Sequence, residues 1–150
     1  MAEQSIAEWL QAEHEQVIVL SDRLRECIAV VPRTGLEPWI TQIRNHFEHF
    51  RDHMLRHIAL EEDKGYLREV LERRPTLAPR VQRLAHEHQE LIQLIDNLNR
   101  SLTGLTNDDQ LVAHDCCRRI GDLLNVVEHH ESEENDLVGF VFTLDIGTSE

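Results

Sequence analysis

The chain has 150 residues, enough for one domain of ordinary size that buries a continuous core without disulfides. Its 15 basic residues against 28 acidic ones leave a formal charge of −13, which opposes binding to nucleic acid or to an anionic membrane surface. No run of about 18 apolar residues is present, and the first residues are acidic where an export signal would be basic, so the expected location is the cytoplasm, with Cys27, Cys116 and Cys117 reduced and structural.

Ser5 followed by Glu8 reads as a capping box, and apolar residues then recur as far as Pro32, which predicts a first helix over 5–31. Its seam is Leu10, His14, Val17, Ser21, Leu24, Ile28 and Val31. Pro32, Thr34 and Gly35 break the chain before a second helix expected over 37–73, with an irregularity near Gly65 and the seam Ile40, Ile43, Phe47, Phe50, Met54, His57 and Glu61. Pro75 and Pro79 mark the next turn. A third helix over 79–103 then carries Val81, Leu84, His88, Leu91, Ile95, Leu98 and Leu102. The polar loop from Gly104 to Asp109 supplies capping residues for a fourth helix over 108–142, whose seam is Cys116, Ile120, Leu123, Val127, His130, Glu134, Leu137 and Val141. Four stretches of three- and four-residue apolar spacing, with no alternating strand pattern, predict an all-α, up-down-up-down four-helix bundle filling residues 1–150 as one domain. Residues from about 143 onward read as a short extended tail.

Six seam positions hold ionisable residues instead of Leu or Val: His14, His57, Glu61, His88, His130 and Glu134. Such a group costs several kcal/mol to bury unless it is paired, hydrogen-bonded or bound to metal. The six also repeat. Glu13-His14 and Glu87-His88 mark the first and third helices, His57-x-x-x-Glu61 and His130-x-x-x-Glu134 the second and fourth, and the intervals from His14 to His57 and from His88 to His130 are 43 and 42 residues. Residues four apart share a helix face, so each HxxxE pair can offer an imidazole and a carboxylate to one centre. With two single histidines this makes a four-His, two-carboxylate cage, whose nitrogen and oxygen donors suit iron, manganese or zinc. If Glu61 and Glu134 bridge two ions and two histidines cap each, every ion has four protein donors, leaving positions for an oxo or hydroxo bridge and a small ligand.

Other residues compete for these roles. His129 and Glu133 have the same spacing as His130 and Glu134 but share a face with Asp122 and Asp136, and His86 lies among Arg83, Glu90 and Gln93, so both histidines are expected in solvent. His46, His49 and His53 precede His57 at helical spacing; His53 is a possible extra ligand, with a solvated or supporting role favoured. Tyr66 could hydrogen-bond near the site, although packing is the favoured role, and His114 is expected on a solvated face. No histidine has a glutamate three residues before it, which argues against the ExxH spacing of ferritin-like oxidases.

These residues resemble the hemerythrin-like, or HHE cation-binding, domain family over residues 14 to about 147, carried by Glu13-His14, by His57 through Glu62, by Glu87-His88 and by His130 through Asn135, with a closing Asp145-Ile146-Gly147. The resemblance implies a non-haem di-iron site held by the six residues. Oxygen carriers of that family use a fifth histidine from an HxxxH pair on the third helix, where this chain has Leu84 and Ile92 around His88, which points away from reversible oxygen carriage. The donor set is closer to the branch that repairs iron centres, although that branch usually carries an additional cysteine-containing segment ahead of the bundle. The expected function is therefore binding or sensing of dioxygen, nitric oxide or hydrogen peroxide in a stress response. The alternatives are a di-iron enzyme consuming peroxide or nitric oxide, an iron-donating repair protein, and a metal-free interaction module.

Overall fold

The apolar seams form helices α1 (Ala2–Ala29), α2 (Leu36–Lys64), α3 (Tyr66–Arg73), α4 (Ala78–Thr103) and α5 (Gln110–Val138), with a 3-10 turn at Pro75–Leu77 and a π-helical turn at Gly139–Thr143. The computed structural model describes the backbone of residues 2–64 and 66–143 and the side chains of 6–63 and 66–142. The four long helices each pack on two neighbours, α1 on α2 and α5, and α4 on α2 and α5, while α3 lies against α2 and α4. This is the antiparallel four-helix bundle, and no strand occurs among the described residues. Among the described residues, no helix is long and apolar enough to cross a membrane.

Several boundaries depart from expectation for local reasons. Helix α1 already runs from Ala2, so Ser5 lies inside it and does not cap it; Ala2, Glu3 and Gln4 are good helix formers that extend the first turn. It stops at Ala29, because Pro32 disfavours helical backbone at Val31 and lacks an amide to continue the ladder. The helix expected over 37–73 is divided into α2 and α3; Gly65 itself, and the tail from residue 144 with Asp145-Ile146-Gly147, lie outside the described residues. Gly35 takes φ 68°, a left-handed conformation that costs glycine little and turns the chain into α2. The polar loop caps in an unexpected direction: Asp109 accepts from Thr106 N and Oγ1 at 2.9 and 2.8 Å, while Asn107 Oδ1 accepts from the Glu37 amide in the first turn of α2 at 3.1 Å. Arg44 closes the other end of that corner, donating to the carbonyls of Leu102 and Thr103 in the last turn of α4 and of Leu105 beyond it at 2.6, 2.8 and 2.8 Å.

The core falls into two apolar clusters with a polar layer between them. The larger holds Val17, Phe47, Phe50, Ile58, Leu91, Cys116 and Val127; the smaller holds Leu10, Tyr66, Val70, Leu84, Leu137 and Phe142. Along α1, α4 and α5 the seam passes from one cluster to the other through the ionisable positions, as in Leu10, His14, Val17 on α1 and Leu84, His88, Leu91 on α4, while α2 ends at the layer and α3 continues into the smaller cluster. The layer is thus held from both sides by packing. Phe50→Ala, at a position with 0 % exposure, is expected to cost about 3–5 kcal/mol by cavity formation, read as a lowered midpoint in urea unfolding.

Candidate metal centre

All six ionisable seam residues are buried, with exposures of 4 % or less. One ligand atom from each of His14, His57, Glu61 and Glu134 lies within 4.8 Å of the others, and the same holds for His88, His130 and Glu134. The rival residues are elsewhere: His86 and His129 are exposed and face only their own helix neighbours Glu90 and Glu133.

The two carboxylates divide their oxygens between two pairs of rings. Glu61 turns Oε1 to His57 Nε2 and Oε2 to His88 Nε2 at 3.2 Å. Glu134 turns Oε1 to His14 Nε2 at 3.2 Å and Oε2 to the Nε2 atoms of His88 and His130, each at 3.5 Å. One side of the centre therefore presents His14 and His57 with both carboxylates, and the other presents His88, His130 and Glu134, with Glu61 Oε2 turned to His88 but outside that compact group. Nε2 of His57, His88 and His130 and both oxygens of Glu61 are buried without a hydrogen bond. Orphaned groups of this kind are costly, and their convergence suits a cation, which satisfies lone pairs that surround one point.

The outward face of every ring is fixed. Nδ1 of His14, His57, His88 and His130 meets Asn135 Oδ1, Glu13 Oε1, Glu62 Oε1 and Glu87 Oε1 at 2.9, 3.2, 2.8 and 2.7 Å. These partners are acceptors, so each Nδ1 carries a proton and donates it, which aims the Nε2 lone pair inward once that atom is deprotonated. The arrangement extends the sequence repeat: Glu13 holds His57 as Glu87 holds His130, and Glu62 holds His88 as Asn135 holds His14. The supporting residues are chain neighbours of the ligating ones, a pattern visible in Glu13-His14 and Glu61-Glu62 but not interpretable before the helices were paired.

Electrostatics follow from burial against contact. Burial alone depresses the imidazoles, yet carboxylates outweigh it: Glu61 and Glu134 hold His57 up at about 9, and Glu134, Glu61 and Glu62 hold His88 up at about 10. His14 and His130 are raised for the same reason, chiefly by Glu134. Burial pushes Glu134 up, but its contacts with Glu61 and three rings hold it well below the usual carboxylate range.

Four further residues border the centre. Tyr66, for which packing was the favoured role, donates its hydroxyl to Glu134 Oε2 at 2.6 Å; burial and the two carboxylates hold its proton on far above the ordinary phenol range. His53 is buried at 6 % exposure rather than solvated, stacks on His57 at 6.2 Å between centroids and contributes no atom to either donor group. Trp9 stacks on the same His57 ring at 5.4 Å. Glu131, which sequence reasoning did not single out, is buried at 7 % exposure with Oε2 at 3.8 Å from His14 Nε2; burial pushes its carboxyl up to about 7 against the pull of His14. The three cysteines are free thiols away from the centre, Cys116 and Cys117 within the larger apolar cluster and Cys27 against it.

Comparison with curated proteins and with solved structures returns no match. Residues 5–141 match the family described as hemerythrin HHE cation binding domain, a span that takes in all four long helices and every residue of the buried donor set. The chain belongs to the hemerythrin HHE cation-binding domain family.

Proposed function

We propose that the six residues hold two iron ions side by side, one between His14 and His57 and one between His88 and His130, each carboxylate giving one oxygen to each ion. The observation that carries this reading is the partition of the Glu61 and Glu134 oxygens between the two ring pairs. Manganese and zinc suit the same donors. When bound, the ion pair supplies two adjacent Lewis-acidic, redox-active centres able to take a small diatomic or peroxide ligand. The protein's own residues do the rest. Acceptors on Nδ1 hold the rings, the two apolar clusters keep bulk water out, and Tyr66 keeps a proton at Glu134 Oε2.

On this reading the protein binds or senses dioxygen, nitric oxide or hydrogen peroxide in a stress response. The negative charge disfavours nucleic-acid and membrane partners, and the free thiols accord with a reducing cytoplasm. The positions four residues either side of His88 are buried Leu84 and partly buried Ile92, so the third helix offers no fifth histidine, which favours sensing or transient binding over reversible carriage. Metal analysis of anaerobically purified protein, followed by optical spectra on adding oxygen, nitric oxide and peroxide, tests this; a colourless zinc protein would overturn it.

Metal uptake displaces protons, and the sign can be worked out. His57 and His88 bind a proton more tightly folded than unfolded, so without metal they contribute stability below an unfolded pKa of about 6.5 that is lost as pH rises through about 9 and about 10. Metal needs the unprotonated rings, so uptake of both ions at pH 7 is expected to release at least two protons, one at each ion, and the apparent affinity for each ion to rise about tenfold per pH unit. Calorimetric titration in buffers of different ionisation enthalpy reads this directly.

A second reading, an enzyme consuming peroxide or nitric oxide, is favoured by Tyr66, a buried hydroxyl placed on a carboxylate of the centre. It predicts multiple turnovers that fall about 100-fold in Tyr66→Phe with metal content unchanged. Single-turnover behaviour in both proteins returns the reading to sensing.

A further inference from the structure

The two halves of the centre follow one pattern, with Asn135 standing where the first repeat has Glu62, and they part most sharply at the position after a ligating histidine. His57 is followed by Ile58 and His130 by Glu131, so a buried apolar residue in the first repeat is a buried carboxylate in the second. An isoleucine at 3 % exposure shows that the bundle accepts an apolar side chain there. Glu131 Oε2 has no hydrogen-bond partner, and an unsatisfied buried carboxylate is among the costlier things a core can hold. It faces the centre: the nearest ring nitrogen is His14 Nε2 at 3.8 Å. Nitrogen and oxygen donors bound to one first-row metal ion at about 2.1 Å lie no more than about 4.2 Å apart, so these two atoms can share an ion.

We propose that Glu131 is a seventh ligand, specific to the ion between His14 and His57. This rests on the two-ion reading above. The first ion then has five protein donors, His14, His57, Glu131 and one oxygen each of Glu61 and Glu134, and the second has four. The ions are inequivalent, and the position for an external ligand lies on the His88–His130 ion, on the side where Tyr66 meets Glu134 Oε2. Glu131 thus breaks the symmetry of the centre from α5, on the ion opposite the histidine pair that lacks a further donor from α4. Binding draws its carboxylate inward from its place beyond the compact four-donor group.

The test uses the full chain loaded with 57Fe. Mössbauer spectra of the parent are expected to show two distinct quadrupole doublets of equal area, and their separation is expected to shrink by half or more in Glu131→Gln and in Glu131→Ile, which restores the residue of the first repeat. Stepwise iron titration is expected to show one of two dissociation constants rising about tenfold or more, the other staying put, while chelated Glu131→Ile melts no lower than the chelated parent. Unchanged doublets and unchanged affinities in the variants would overturn the assignment while leaving the two-ion centre standing. Loss of folding in both chelated variants would overturn it too, because it would make Glu131 a structural residue. Failure of the parent itself to take up iron strikes the two-ion reading instead.

Discussion

Replacing Glu134 with alanine is expected to lower bound metal from two ions per chain to fewer than one, measured by elemental analysis after anaerobic loading and desalting. Glu134 belongs to both donor groups and is 0 % exposed. It touches His14, His88 and His130 and receives the Tyr66 hydroxyl, so its loss removes a donor from each proposed ion together with a charge that raises the pKa of three rings. Breaking a buried ionic group by removing one partner typically costs about 3–5 kcal/mol, so the chelated variant is also expected to melt lower than the chelated parent. Glu133→Ala is the control. Glu133 is the preceding residue on α5 and pairs with exposed His129 at 3.0 Å; its removal is expected to leave metal content unchanged and to shift stability by no more than about 0.5 kcal/mol. Two ions retained in Glu134→Ala would defeat the bridging role.

The contrast between Glu134 and Glu133 was legible in the sequence because helical periodicity separates adjacent residues by about 100°, putting one on the Leu123–Val127–Leu137 seam and the other outside it. The same reasoning separated His88 from His86. It did not reach Glu131, although the signal is there: Cys117, Leu124 and Val138 stand at seven-residue steps from it on the same strip of α5 and Val127 one turn before it, all apolar and buried, whereas the seam as read ran through His130 and Glu134 beside that strip. Nor could it place Tyr66, because α3 is a separate helix and the register of α2 does not carry past Lys64. The Nδ1 partners were hidden for a related reason. Glu13 and Glu87 are half-exposed residues beside buried ones, and only the side-by-side packing of α1 with α2 and of α4 with α5 turns them onto His57 and His130. For His53 the sequence left a solvated and a supporting role open, and stacking of the buried ring on His57 decides for the supporting one.

Substituting the whole polar layer, with leucine for the four histidines and methionine for Glu61 and Glu134, is expected to abolish metal binding and to stabilise the chelated protein. The layer interrupts two apolar clusters that already pack on either side, and each seam would then run unbroken from Leu10 to Val17, from Met54 to Tyr66, from Leu84 to Leu91 and from Val127 to Leu137. With no cation present, the rings and carboxylates balance their lost hydration through mutual contacts, the four Nδ1 bonds and the Tyr66 hydroxyl, and five of their buried atoms still make no hydrogen bond. Replacing a buried ionic cluster by apolar residues of similar volume is commonly neutral or stabilising by about 1–4 kcal/mol. For a chain of this size that corresponds to a rise of roughly 3–15 °C in melting temperature. Metal reverses the order: the parent gains stability with the logarithm of metal concentration over its dissociation constant, and the substituted protein gains none. Calorimetric melts of both proteins, chelated and metal-loaded, should therefore cross. A substituted protein that is less stable even when both are chelated would mean that the six residues hold the bundle together without metal, and that the centre is built for structure before it is built for a ligand.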